Sequence, residues 1–282
     1  MPRASDDPAP LLRRLLAAAR REAGPGGLIG LDLFGGTGSV SRAWRRMGHG
    51  SVLIDVSAHE SLNINDVRLQ RIILGWIRSR RVHMVFLAPP CSSWSRARRG
   101  PPGGRMPQAL RSKQSVMGLA DLNEKDQNRV RVGNQTMRFS VRVLRECAKQ
   151  GLPAGLENPL TSWFFEAPPV RSLRAAPWSA EVVLDQCQFH QPWRKPTRLV
   201  FVQANHLERL AKRCHMSGGL CSATNKFHIQ LTGVCPATKQ FWTSHAQEYS
   251  PALAAAIAKT LVVSSESRRM RVLAHVVGEF LK

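Results

Sequence analysis

From residue 28 onward, apolar positions alternate between short unbroken runs and stripes at helical spacing. Leu28–Phe34 predicts a first strand, which passes directly into Gly35-Gly36-Thr37-Gly38. A helical pattern then covers Ser39–Met47, with Ser39 or Ser41 as its cap. Ser51–Val56 reads as a second strand ending near Asp55. Val67–Arg81 places Leu69, Ile72, Ile73, Trp76 and Ile77 on one helix face, preceded by Asn65-Asp66 as cap or ligand contact. Val82–Ala88 is a buried-type strand stopped by Pro89-Pro90, which sets Cys91 just beyond its carboxyl end. A helix over Arg129–Gln150 and a short strand at Gly155–Pro159 follow. Two more strands, Glu181–Cys187 and Arg198–Gln203, come next. An apolar helix over Pro251–Val263 and a last basic helix ending at Lys282 close the chain. Strands alternating with helices predict an α/β protein. No internal repeat is evident.

Two stretches break the rhythm. Residues 95–127 are rich in Arg, Gly and Pro, as in a lid, a binding loop or a disordered insertion. Met1–Gly24 alternates leucine pairs with arginines, as a basic amphipathic helix or a disordered arm. It lacks the unbroken apolar core of a signal peptide, and Asp6-Asp7 speaks against a transit peptide.

Composition sharpens this picture. Lys and Arg number 41 against 19 Asp and Glu, a net charge of +22 over 282 residues. Such a surplus marks a polyanionic partner, nucleic acid first and an anionic membrane surface a distant second. No apolar run approaches the ~18 residues of a membrane span. Six cysteines (91, 147, 187, 214, 221 and 235) without a secretion signal predict a reducing compartment. There they serve thiol chemistry, metal ligation or burial.

Strand-end motifs supply the chemistry. A glycine turn between strand and helix brings backbone close to a nucleotide-like ligand, and an acidic residue such as Asp55 accepts ribose hydroxyls. Taken in order, Asp32-Leu33-Phe34-Gly35-Gly36-Thr37-Gly38, Pro89-Pro90-Cys91 and Glu157-Asn158 resemble the DNA (cytosine-5) methyltransferase family over roughly residues 28–203, as a divergent member. The stretch from Tyr249 to Thr260 resembles that family's final motif.

The resemblance implies a Rossmann-like S-adenosylmethionine-dependent methyltransferase fold. It implies Cys91 as the nucleophile on cytosine C6, Glu157 at N3, Asn158 orienting it, and Arg194 or Arg198 near the base. Here the arginine spacing is Arg-x-x-x-Arg where the family has Arg-x-Arg. Asp32, Phe34, Gly35, Gly36, Thr37, Gly38, Asp55, Asp66 and Pro89 would hold S-adenosylmethionine, and Tyr249-Ser250-Pro251 would close the pocket. Ser95, Arg96, Arg98, Arg99 and Arg105 fall where the family's catalytic loop lies. They would contact DNA around a flipped-out base.

The expected organisation is therefore a basic arm or helix at 1–25, a catalytic domain at 26–203, a small target-recognition region at 204–247, and C-terminal helices at 248–282 returning to the catalytic domain. Within that small region Cys214, Cys221 and His228 are each separated by six residues, with Cys187 upstream. Three thiolates and an imidazole suit a structural zinc, while His190, His215 and Cys235 are competing ligands. Double-stranded DNA is the expected partner, bound by a monomer located with the DNA, in nucleus or nucleoid. RNA as the substrate, and a non-catalytic nucleic-acid-binding protein on the same scaffold, are the alternatives.

Overall fold

A computed structural model describes residues 7–100 and 107–280, with backbone only for 272–278 and 280. Its centre is a six-stranded sheet: β1 (Ile29–Leu33), β2 (Gly50–Ile54), β3 (Met84–Leu87), β4 (Ala154–Pro159), β5 (Ser179–Asp185) and β6 (Pro196–Val202). They lie in the order β2-β1-β3-β4-β6-β5. The first four run parallel, and β6 is antiparallel to both of its neighbours. The chain moves outward from β1 to β2 and then returns to lay β3 on the other side of β1. That reversal opens a crevice at the carboxyl ends of β1 and β3. The architecture is the Rossmann-like α/β fold that the resemblance implies.

Helices cover both faces, which is why β1 and β3 are buried at every position; β3 reads as an unbroken apolar run, and β1 does so but for Asp32. On one side, α1 (Pro8–Glu22), α3 (Val67–Arg78), α4 (Glu124–Gln150) and α5 (Pro168–Arg174) enclose Leu31, Leu33, Val85, Leu87 and Leu156. On the other, α2 (Ser39–Arg46) and α7 (Pro251–Phe280) enclose Met84, Phe86, Leu199 and Phe201. Because successive strand residues face opposite ways, Asp32, Phe86 and Glu157 fall on the α7 side. The remaining helix, α6 (Trp242–His245), is a single turn.

Of the two readings of the N-terminal segment the structure has the helix, docked on the sheet: Leu12, Leu16 and Ala19 of α1 are buried in the core. Other expectations are corrected. Helix α2 begins after Gly38, whose φ of +76° sets the turn, and neither Ser39 nor Ser41 caps it. Helix α4 starts five residues before the periodicity does, at the cap where the Asn123 side chain accepts from the Asp126 amide. The two C-terminal helices are one, α7, and Ser264 and Ser265 in its middle are accommodated by donating their hydroxyls to the carbonyls of Thr260 and Leu261.

A short repeat is present after all. Leu220-Cys221-Ser222-Ala223-Thr224-Asn225-Lys226-Phe227 and Val234-Cys235-Pro236-Ala237-Thr238-Lys239-Gln240-Phe241 form the same turn. Each cysteine amide bonds to the carbonyl five residues on, and the flanking residues pair, Leu220 with Phe227 and Val234 with Phe241. No helix among the described residues is long and apolar enough to cross a membrane.

The seat of α1 is tested at Gly50, where an added Cβ would lie 1.8 Å from the Ala19 carbonyl oxygen. Gly50→Ala is expected to push the helix off β2 and cost about 1–3 kcal/mol in urea unfolding. A change under about 0.5 kcal/mol, the size of a neutral surface substitution, would show that the helix is not docked there.

Candidate active site

The parallel strands deliver three motifs to one edge of the sheet. After β1, Phe34 takes a left-handed φ of +57°, strained for an aromatic residue, and starts the glycine turn. Gly35 is obligatory there: a Cβ would lie 2.4 Å from Leu53 and 2.7 Å from the Asp32 carboxyl carbon. Asp32 beneath the turn is fully buried, and its Oδ2 accepts from both the amide and the hydroxyl of Ser41. Burial pushes its carboxyl up to about 6 despite those bonds. Asp55, ending β2, accepts the Gly36 amide on Oδ2 and the amide and hydroxyl of Ser57 on Oδ1. Asp66 caps α3 and pairs with Arg68 at 3.0 Å.

Past β3, the two prolines carry no amide hydrogen, so the sheet ladder cannot continue. A side chain replaces it: Asn158 Nδ2 donates to the Pro89 carbonyl at 2.9 Å, wholly buried. Cys91 follows, partly exposed, and the carboxyl of Glu157 on neighbouring β4 is near enough for its charge to act on the thiol. Glu157 is buried, and its Oε2 accepts from the Tyr249 hydroxyl at 3.0 Å. Its Oε1 has no hydrogen-bond partner among the described residues. The Tyr249 ring stands edge-on to Phe86, with centroids 6.1 Å apart.

Burial pushes the Cys91 thiol, the Glu157 carboxyl and the Tyr249 phenol all upward. Lys195 opposes this at both Cys91 and Glu157. It is anchored by donating to the Ala246 carbonyl at 2.6 Å.

Lys195 is the cation that the sequence reading missed. The expected arginines are engaged elsewhere: Arg194 lies 3.3 Å from Asp185, and Arg198 lies 3.8 Å from Glu181 and over the Phe165 ring. Both flank Lys195, but neither acts on Cys91 or Glu157. Glu248, also missed, accepts from Thr37, Ser39 and Arg42 and so clamps the glycine turn. It sits 211 positions from Thr37, a separation that leaves no local signal.

The loop after Cys91 is held by internal contacts. Arg111 is buried, stacks 3.3 Å over Trp94 and donates to the carbonyls of Ser93 and Val116. Arg96 stacks 3.9 Å over Trp163, Arg98 donates to the Gln108 carbonyl, and Arg99 to that of Arg96. Ser95 accepts the Ala97 amide. Arg105 lies outside the described residues. The four predicted zinc ligands do converge: one ligand atom from each of Cys187, Cys214, Cys221 and His228 lies within 4.8 Å of the other three.

No protein-family model matches the chain, and no curated protein matches it. Among solved structures, the Schizosaccharomyces pombe Dnmt2 methyltransferase is similar at 14% identity and a TM-score of 0.35, over 62% of this chain and 48% of that one. The Entamoeba histolytica methyltransferase EhMeth is similar at 14% identity and a TM-score of 0.38, over 62% of this chain and 52% of that one. The chain spans about half the length of these structures. Overlaps this loose carry no weight for the function.

Two outcomes follow from the electrostatics. Asp32 keeps its proton longer when folded than when unfolded, so the stability it contributes is fullest below about pH 4 and falls as pH rises through about 6. Relative to Asp32→Asn, the wild type is expected to lose roughly 2–3 kcal/mol of unfolding free energy between pH 4 and 7. Equal pH slopes would refute it. For Cys91, alkylation by iodoacetamide is expected to accelerate at a pH above that of an ordinary thiol. Lys195→Met is expected to move that midpoint further up, and an unmoved midpoint would remove Lys195 from the site.

Proposed function

We propose that this protein transfers a methyl group from S-adenosylmethionine to C5 of a cytosine in nucleic acid, with double-stranded DNA as the first choice of substrate. The observation that carries this reading is the meeting of Cys91, Glu157 and Lys195 at the strand ends, beside the glycine turn. The family resemblance of the ordered motifs assigns the same Cys91 and Glu157 to the reacting base.

The turn suits the donor. A Cβ on Gly36 would meet nothing within 4 Å, so a ligand has room to lie against that backbone. Asp55 offers a carboxylate at the end of β2, and the buried Asp32 Oδ1 has no hydrogen-bond partner among the described residues. Phe34, Gly36, Thr37, Gly38, Asp55, Asp66 and Pro89 would hold S-adenosylmethionine, which supplies an electrophilic methyl group.

The chain's own residues make the other partner reactive. Cytosine C5 is a poor nucleophile, so the Cys91 sulfur adds to C6 and drives electron density toward C5 and N3. Lys195 favours the thiolate needed for that bond. Glu157, whose carboxyl burial pushes toward its protonated form, delivers a proton at N3 as negative charge builds on the ring. Tyr249 fixes one carboxyl oxygen and leaves Oε1 for the base. Once C5 has taken the methyl group and the demethylated thioether has left, loss of the C5 proton to solvent water re-forms the C5–C6 double bond and expels the Cys91 sulfur as thiolate, while N3 returns its proton to Glu157. A base within a duplex cannot reach this edge and has to be flipped out. The polyanion is met by the basic surface, for example Arg131, Arg138, Arg142 and Arg145 on the exposed side of α4.

The test is transfer of tritium from methyl-labelled S-adenosylmethionine to duplex DNA and, separately, to RNA. Wild type is expected to label DNA at cytosine. Cys91→Ser should abolish transfer, and Glu157→Gln should slow it about 10²–10⁴-fold. A 5-fluorocytosine substrate, which has no C5 proton to lose, should trap a covalent complex through Cys91. Label on RNA alone would change the substrate and keep the chemistry. No label and no trapped complex with either would overturn the proposal.

A further inference from the structure

The segment from Ala211 to His245 folds without a hydrophobic core. Among its residues only Cys214, Cys221 and Cys235 are buried. Its large apolar side chains face solvent, Phe227 at 76% and Phe241 at 63% exposure. Such a stretch cannot offset the entropy of ordering its own backbone by apolar burial. Something else has to hold it, and two of the three buried thiols lie beside Cys187 and His228.

We propose that Cys187, Cys214, Cys221 and His228 bind one zinc ion, which fastens this segment to the catalytic sheet. A zinc with Zn–S near 2.3 Å and Zn–N near 2.0 Å spaces its tetrahedral ligand atoms ~3.5–3.8 Å apart. Here the four atoms lie within 4.8 Å of one another, and Cys214 Sγ to His228 Nε2 is 3.8 Å. All the cysteines are free thiols. Three sulfurs and an imidazole in a closed site select zinc over the hard cations.

The surroundings suit thiolates. Gln188 Nε2 donates to Cys187 Sγ at 3.6 Å and to Cys221 Sγ at 3.9 Å, and the Ser222 hydroxyl donates to Cys214 Sγ at 3.7 Å. Donors of this kind orient metal-bound sulfur and spread its charge. The turn carrying Cys221 presents its sulfur to this cluster. The repeat turn carrying Cys235 does not, although it has the same sequence pattern, so the ligand set is specific.

The site also connects to the reacting edge. Cys187 lies in the β5–β6 loop that ends at Lys195, and the Cys214 amide donates to Asp185 Oδ2, whose carboxylate also faces Arg194 and Arg213. One ion therefore pins the β5–β6 loop and the inserted segment together. The assignment does not depend on the methyl-transfer reading, since bound metal is measured directly.

Full-length protein, purified without added chelator, is to be analysed for metal by mass spectrometry. One zinc per chain is expected, released on titration of the thiols with a mercurial and reported by a zinc-binding dye. Cobalt substitution should give the intense visible absorption of tetrahedral cobalt–thiolate. Cys221→Ser is expected to lower the zinc content, while Cys235→Ser, the matching change in the twin turn, should keep it at one. Because the mercurial titration uses the wild-type chain, misfolding of a variant does not decide the matter. Substoichiometric metal, a disulfide among Cys187, Cys214 and Cys221, or equal zinc loss in both variants would overturn the proposal.

Discussion

The hydrogen bond from Asn158 to the Pro89 carbonyl is the constraint on which the reactive edge depends. Strands β3 and β4 are in register only as far as Leu87 and Leu156. Beyond that pair the prolines cannot donate, and the chain that carries Cys91 would be free to swing away from Glu157. The buried amide closes the gap at 2.9 Å, and the Trp163 amide, bonding to the Trp94 carbonyl, closes it again further out. A net worth of about 1 kcal/mol understates such a bond, because losing the donor leaves a buried carbonyl unpaired at about 1–3 kcal/mol. Its value to the site is geometric: it fixes which way a reactive sulfur leaves the sheet.

Electrostatics then sets what that geometry can do. Asp32, Glu157, Tyr249 and Cys91 are each pushed toward their protonated forms by burial. The edge is therefore a place that holds protons, with Lys195 as the counterweight at Cys91 and Glu157. This suits a reaction in which a carboxyl group has to give a proton to a weakly basic ring nitrogen near neutral pH. It also explains the tyrosine. Its phenol keeps its own proton and donates it to Oε2, so that one carboxyl oxygen is fixed and the other stays available.

How much of this was legible in the chain follows from range. Buried parallel strands announce themselves as apolar runs, and the prolines and glycines after them mark where they stop, so the strand-end motifs could be placed from sequence. The antiparallel entry of β6 between β4 and β5 leaves no periodic trace, and it is what turns Lys195 toward the edge while Arg194 and Arg198 pair with carboxylates behind it. The resemblance implies an arginine at this point and gives the lysine between the two arginines no role. Glu248 was missed for the same reason of distance. Residue type and spacing pointed to Cys187, Cys214, Cys221 and His228 but left His190, His215 and Cys235 as competing ligands, and the fold decides among them by bringing the first four together; the twin turns at Cys221 and Cys235 carry no such signal, because an eight-residue repeat is shorter than any repeat that builds a fold.

The inserted segment is not a passenger on this edge. It leaves the sheet after β6 and returns at Ala246, whose carbonyl takes the Lys195 ammonium, just ahead of Glu248 and Tyr249. Those two neighbours face opposite duties, Glu248 on the glycine turn and Tyr249 on Glu157. Any rearrangement of the segment is therefore felt at once by the cation beside Cys91, by the hydrogen-bond donor to Glu157 and by the glycine turn. A coreless insertion of this kind would be too soft to hold three such contacts in register. The proposed zinc crosslink between it and the β5–β6 loop, made at Cys187 only eight residues before Lys195, would supply the stiffness at the point where softness would matter most.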